Sequence, residues 1–359
     1  MAEKTGKRYC GIGGQAVLEG VMMKNKDRYA VAVRKPDGEI KVKVDEYKAS
    51  SEKKKLFGLP FIRGIFNFYD SLVLGIGCLN YSASFYEDEE KEATAADKVV
   101  DKLSGGKSEA VFSALTVIFS LVIAIAIFMV LPYYLAELLK VYVRNDSLVA
   151  LLEAILRILI FLIYVVSISL MKDIRRVYMY HGAEHKCINC IERGRELNVD
   201  NVRKSSRQHR RCGTSFLLFV VFISAILFFF IRGDSPLLRV GLRILLIPVI
   251  AGISYEIIRL AGKSDNILVR ILSAPGMMLQ KLTTKEPDDD MIEVAIASVE
   301  AVFDWKQYFK DTFSYDVDKA ATVREKSEQI KQEVEEEEQK EQADSKEEAA
   351  EEEASQDEE

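Results

Sequence analysis

Residues 209–231 read His209-Arg-Arg-Cys-Gly-Thr-Ser-Phe-Leu-Leu-Phe-Val-Val-Phe-Ile-Ser-Ala-Ile-Leu-Phe-Phe-Phe-Ile231, a basic segment with two potential metal ligands that runs without a break into an apolar stretch. The run 215–231 is long enough as a helix to span a hydrocarbon core of about 30 Å. Three more apolar runs lie at about 111–135, 148–171 and 237–259, the last with some tilt. The expected fold is therefore a mainly α membrane protein with about four transmembrane helices in the region 111–260. Loop charge gives the orientation. The segment 172–211 carries 11 Lys+Arg, whereas 136–147 and 232–236 carry three between them. By the positive-inside rule, the loop 172–212 and both termini face the cytoplasm, with the chain in the inner membrane.

Working back from His209, the polar loop concentrates ligand chemistry. The chain has 3 histidines, and all lie in this loop: His181, His185 and His209. Histidines four apart on a helix share a face, so His181 and His185 can grip one ion. With Glu184 they spell H-x-x-E-H, the inverse of the zincin motif, in which the glutamate is a general base for water activated by the ion. Cys187 and Cys190 follow as C-x-x-C, and His209 and Cys212 as H-x-x-C. Two arrangements compete for these ligands. A catalytic site uses His181, His185 and one of His209 or Cys212, keeps a position open, and makes Glu184 the catalytic base. A structural clamp uses Cys187, Cys190, His209 and Cys212 with no open position. Either takes zinc or another divalent metal. The plain alternative is that the histidines cap helix carbonyls or pair with acids at the membrane edge. Gly182 weakens the helix by about 1 kcal/mol relative to alanine.

The flanking segments divide by composition. Residues 1–55 hold a glycine-rich motif at 9–23, expected as a flexible turn into a short element with Gln15 and Glu19. A small cytoplasmic β-hairpin platform follows over 29–47, turning at Pro36-Asp37-Gly38. Residues 56–86 are apolar but interrupted by Gly58, Pro60, Arg63, Gly64, Asp70, Gly75 and Gly77, which suits a re-entrant or interfacial segment. Residues 87–110 read as a linker. Gly105-Gly106-Lys107-Ser108 lacks the first glycine of a P-loop, because Asp101 stands there. Glu256 near the end of the fourth run pairs with Arg259 one turn on, or serves as a further metal or supporting ligand. In the cytoplasmic segment 261–320, Met291 to Phe303 shows helical periodicity, ahead of an aromatic stretch with Trp305. The tail 321–359 has 17 acidic against 5 basic residues, a net of −12 within a total of −6, so residues 1–320 carry about +6. Such a tail is expected to be disordered. Five cysteines, three of them in the histidine loop, argue against a secreted disulfide framework, and no signal peptide is evident.

The block Gly13-Gly14-Gln15-Ala16-Val17-Leu18-Glu19-Gly20-Val21-Met22-Met23, the segment His181-Gly182-Ala183-Glu184-His185-Lys186 and Arg211-Cys212-Gly213-Thr214-Ser215-Phe216 resemble the YqhQ-like family of bacterial membrane proteins. Ser254-Tyr255-Glu256 and Thr283-Thr284-Lys285-Glu286-Pro287 fit the same pattern, so the resemblance covers about 9–305. It implies a domain of unknown function, described as a predicted metal-dependent enzyme. Its functional positions here would be Gln15, Glu19, His181, Glu184, His185, His209 and Cys212. Arg210 stands where the pattern has a proline after the histidine.

The resulting expectation is a metal-dependent hydrolase of an amide or ester bond at the cytoplasmic membrane edge. Arg207, Arg210 and Arg211 would orient an anionic substrate or attract the membrane surface. The alternative is a membrane scaffold or assembly factor pinned by structural zinc. Expected partners are the lipid bilayer, a second copy in a homo-oligomer and a protein docked through the acidic tail, with no nucleic acid. A solute carrier ranks last, because the centres of the first and third runs hold no ionisable group.

Overall fold

The computed structural model describes residues 9–50, 55–86, 108–231, 236–263, 266–317 and 319. Most of the linker at 87–110 and all of the acidic tail at 321–359 lie outside the described residues. The chain from Cys10 onward opens with a four-stranded antiparallel meander in the order β1 (Ile12–Val17), β2 (Gly20–Asn25), β3 (Arg28–Arg34) and β4 (Ile40–Glu46). The β3–β4 hairpin has the expected turn, with Gly38 at φ 89°. The motif at 9–23 departs from expectation: it is not a flexible turn but the strand pair β1–β2, in which Val17 faces Gly20 across the two residues Leu18 and Glu19. Glu19 takes φ 49° in this turn. A Cβ on Gly20 would overlap the Ala32 carbonyl oxygen, so the glycine lets β2 lie against β3.

This sheet is covered on both faces, which is why Ala30, Val31, Ala32 and Val33 of β3 are all buried and the strict alternation of a half-exposed hairpin is lost. One face packs on α1 (Ile62–Ala83), where Val17, Met22, Val31 and Val33 meet Leu74 and Cys78. The other meets α5 (Lys172–Glu192) and α11 (Asp289–Glu300); Ser298 Oγ donates to the Ala30 carbonyl at 3.1 Å.

The membrane-type elements follow α1. Helix α2 (Ser108–Ile125) continues through a π-helical stretch, Ala126–Val130, into α3 (Leu131–Leu138). Pro132 sits at the junction; it has no N–H and its ring crowds the carbonyl four residues back, that of Phe128. Helix α4 (Asp146–Ser169) begins at Asn145, whose side chain accepts the backbone N–H groups of Ser147 and Leu148. After α5 come the short α6 (Val199–Arg203), then α7 (Gly213–Phe230), α8 (Pro236–Leu245), α9 (Ile247–Lys263) and α10 (Ile267–Thr283). Among the described residues, five helical stretches are long and apolar enough to cross a membrane: Ile62–Ala83, Leu115–Val141, Asp146–Ser169, Gly213–Phe230 and Leu238–Leu260. The last four coincide with the four expected runs. The first is α1, an unbroken helix in the region expected to be irregular. Gly58 and Pro60 fall before its start, and Gly64 and Gly75 serve close packing, against Gly252 and Tyr255 and against Gln15.

A second compact unit begins at Asp304. Its helix α12 (Trp305–Phe313) is capped by Asp304, which accepts the Gln307 N–H at 2.9 Å, and Trp305, Tyr308, Phe309 and Phe313 stack along it.

Candidate functional site

Helix α5 carries His181, Glu184 and His185 on its buried stretch, with the two imidazole rings 4.4 Å apart between centroids. The spacing alone sets that proximity. Two outside segments orient the rings. The connection after α10 crosses α5 so closely that a Cβ on Gly182 would overlap the Lys285 carbonyl oxygen. The Lys285 N–H donates to the Tyr178 carbonyl at 2.8 Å, and the Thr283 carbonyl is thereby placed 2.8 Å from His181 Nδ1. The loop before α7 places the Arg207 carbonyl 2.7 Å from His185 Nδ1. A carbonyl only accepts, so both Nδ1 atoms carry hydrogen and both Nε2 atoms are left for the interior of the site.

Cys212 completes the group. It is the N-cap of α7, accepting the Thr214 N–H at 3.4 Å, and its sulfur lies 3.1 Å from His181 Nε2. One ligand atom each from His181, His185 and Cys212 falls within 4.8 Å of the other two; among the described residues this is the one such group. Burial raises the Cys212 thiol, but the flanking His181 and His185 outweigh it and hold the thiol well below its ordinary value. Burial also pulls His181 down, and the Cys212 sulfur with Glu184 outweighs it, pushing the imidazole up to about 9. The pair therefore favours thiolate beside imidazolium, the charge arrangement of a sulfur ready to bind a cation or attack a carbon.

Glu184 points from α5 to β1. It accepts the Gly14 N–H, and a Cβ on Gly14 would come within 3.0 Å of its carboxyl carbon. Burial raises this carboxyl, partly offset by His181 and His185. A buried carboxyl with raised affinity for a proton, one turn from two ring nitrogens, is suited to take up and return a proton.

The other expected positions sit elsewhere. The His209 ring is 5.7 Å from that of His185, but its Nε2 faces Glu192 at 3.6 Å and Arg211 at 3.1 Å, outside the three-ligand group. Its backbone is clasped by Gln280, which accepts the His209 N–H at 2.8 Å and donates to its carbonyl at 2.7 Å. Cys187 and Cys190 are buried free thiols outside the three-ligand group, and Cys190 Sγ donates to the carbonyls of Arg195 and Glu196. Glu19 binds Arg176 and accepts from the Tyr180 hydroxyl at 3.2 Å, fastening the β1–β2 turn to α5. Gln15 packs on Gly75 of α1. Glu256 makes a two-point pair with Arg63 at 2.7 and 2.6 Å, besides a looser one with Arg259. Gly14, Glu192, Gln280 and Thr283 are the participants that spacing did not single out for a role; Gly14 and Thr283 were marked only by membership in the glycine-rich block and the Thr283–Pro287 block, and Glu192 and Gln280 lie in neither.

A family described as a protein of unknown function, DUF1385, matches residues 59–305. The chain belongs to this family. The expected YqhQ-like resemblance agrees: the chain is 37% identical over 288 residues to "Uncharacterized protein YqhQ" of Bacillus subtilis (strain 168), covering 80% of this chain and 90% of that one. No solved structure matches. The family span takes in His181, Glu184, His185, His209 and Cys212, whereas the four strands that press Gly14 on Glu184 precede it.

Proposed function

We propose that this DUF1385 protein is an inner-membrane, metal-dependent hydrolase. In this reading His181, His185 and Cys212 hold one divalent ion at the cytoplasmic edge of the bilayer. The observation that carries it is the tautomer lock: backbone carbonyls of Thr283 and Arg207 take both Nδ1–H groups and leave two Nε2 atoms beside the Cys212 sulfur. Metal-binding histidines need this kind of outer support, and a His₂Cys set with an open fourth position is a catalytic zinc pattern. A bound ion supplies a Lewis acid for an ester or amide carbonyl. Glu184 holds and moves the proton, and β1 fixes its carboxyl through the Gly14 N–H.

The membrane placement follows from the same elements. Cys212 directly precedes α7, so that corner of the site lies at the end of a span, whereas His181 stands twelve residues past the end of α4. Four stretches cross the bilayer and α1 lies in the cytoplasmic interface. Its Asp70, Leu74, Gly75 and Cys78 face the sheet, and Tyr69, Leu72, Val73, Ile76 and Leu79 form an exposed apolar stripe toward lipid. A substrate reaching the site along this surface is a lipid ester or a membrane-proximal peptide.

The test is elemental analysis of the detergent-purified full chain. Near one zinc per chain is expected in wild type and in Cys190→Ser, with loss in His181→Ala and Cys212→Ser. Glu184→Gln should keep the metal and lose about 10²- to 10⁴-fold in turnover of a chromogenic acyl ester. Metal-free protein in every preparation sinks the reading. A second reading draws on the 3.1 Å contact between His181 and Cys212 together with the Thr283 carbonyl behind the ring: a thiolate nucleophile with an oriented imidazole. It predicts ester turnover that survives chelation and is abolished by iodoacetamide.

A further inference from the structure

Far from the histidines, α4 and α8 carry three ionised side chains into the helix bundle: Glu153, Arg157 and Arg243, which are 8%, 2% and 2% exposed. Glu153 stands seven residues into α4, about 10 Å down from its distal end, and Arg157 one turn deeper. Snorkelling arginines would show exposed heads; these do not.

The contacts leave the charge unbalanced. Arg157 donates to Glu153 at 2.6 Å and, through Nε, to the Phe128 carbonyl at 3.1 Å, a carbonyl of the π-helical stretch. Arg243 donates through Nη2 to Glu153 at 2.8 Å. Its Nη1 lies 2.7 Å from the same carboxylate but out of hydrogen-bonding line, and its Nε has no partner among the described residues. Both guanidinium groups also face the Phe228 ring, at 4.7 and 5.1 Å, and Arg243 faces Tyr133 at 5.3 Å. Among the described residues, one carboxylate thus answers two guanidinium groups. A net positive charge and buried N–H groups without acceptors are costly in an apolar bundle, and aromatic faces offset only part of that cost.

We propose that Arg157 and Arg243 form a phosphate site in the distal half of the membrane bundle. A phosphodiester, or inorganic phosphate as its monoanion, carries one negative charge, the amount that balances the cluster, and its oxygens suit the unanswered donors of a guanidinium group. The phosphate comes from a lipid headgroup drawn in from the distal leaflet or from free phosphate on that side. The site is separate from the histidine group and does not depend on its metal.

The experiment uses the full-length chain in two arms, inorganic phosphate titrated against the detergent-purified protein, and nanodiscs containing phosphatidylglycerol or phosphatidylcholine scored for lipid retained after delipidation. Binding in the first arm assigns free phosphate, and retention of phosphatidylglycerol in the second assigns lipid. In either, Arg243→Gln should weaken binding about tenfold, and Glu153→Gln, which removes the competing carboxylate, should tighten it about tenfold. His181→Ala should bind as wild type does. If Arg243→Gln fails to fold, Glu153→Gln still decides: unchanged or weaker binding overturns the proposal, as does absence of binding from both sources.

Discussion

A Cβ on Gly182 has nowhere to go, because the Lys285 carbonyl oxygen occupies its place. The glycine costs helix α5 some propensity, and what it allows is the close crossing that sets Thr283 against His181. Gly14 plays the matching part on β1, where the carboxyl of Glu184 and the Met22 carbonyl fill the space of a side chain. Gly182→Ala should therefore act on the ring it does not touch. Displacing the 283–287 segment frees His181 Nδ1, and on the metal reading proposed above zinc affinity by competition with a chelator should fall about 10- to 100-fold while the helix persists by circular dichroism. An affinity equal to wild type would show that the carbonyl support is dispensable. From sequence, Gly182 counts only as a weak point in a helix. Its purpose depends on a residue about a hundred positions away.

Among the elements, α1 separates length from placement. Twenty-two residues are enough to cross a bilayer, yet its Asp70 accepts from the Tyr47 hydroxyl and from Ser50 beside the sheet, and Phe68 packs on Phe216 in the first turn of α7. Arg63 at its start reaches Glu256 late in α9, and Ser82 at its end takes the Leu18 N–H of the β1–β2 turn; the proposed orientation puts both on the cytoplasmic side. Helix α10 likewise exposes Ile267, Ile271 and Met278 while its last turn supports the site. Nitroxide labels at Tyr69→Cys and Leu79→Cys should report the same shallow depth by power-saturation measurements. In a crossing helix, ten residues would separate the two labels by about 15 Å along the membrane normal, and that difference would remove the interfacial assignment.

Across the whole molecule, Glu192 links parts distant in sequence. The last residue of α5, it accepts the Cys10 N–H at 3.3 Å, pairs with Arg211 and faces His209. The start of the sheet, the histidine helix and the loop entering α7 thus meet on one carboxylate. Burial raises this group, but His209 and Arg211 outweigh it and set it below the usual glutamate value of 4.5. A depressed carboxylate contributes stability that is whole above its unfolded value and lost as pH falls through the folded one. The melting temperature should drop from pH about 4.5 downward, and Glu192→Gln should be less stable at neutral pH and flatter over that acid range. A variant that follows the wild-type curve would mean that other carboxylates govern the acid limb.

Local pattern in the chain was enough for four apolar runs, the hairpin turn at Pro36-Asp37-Gly38, and a histidine pair one turn apart with Glu184 beside it. Each is a property of residues within about one helical span, where length, periodicity and charge leave a readable mark. Only the tertiary structure decided between Cys212 and His209 as the neighbour of that pair, turned Gly13 to Val17 into a strand, and left Cys190 outside the group. The His/Cys spacing is the same in both metal arrangements; what separates them is the crossing of segments far apart in sequence over Gly182 and Gly14. Such convergence is set by packing between elements and leaves no period in the chain.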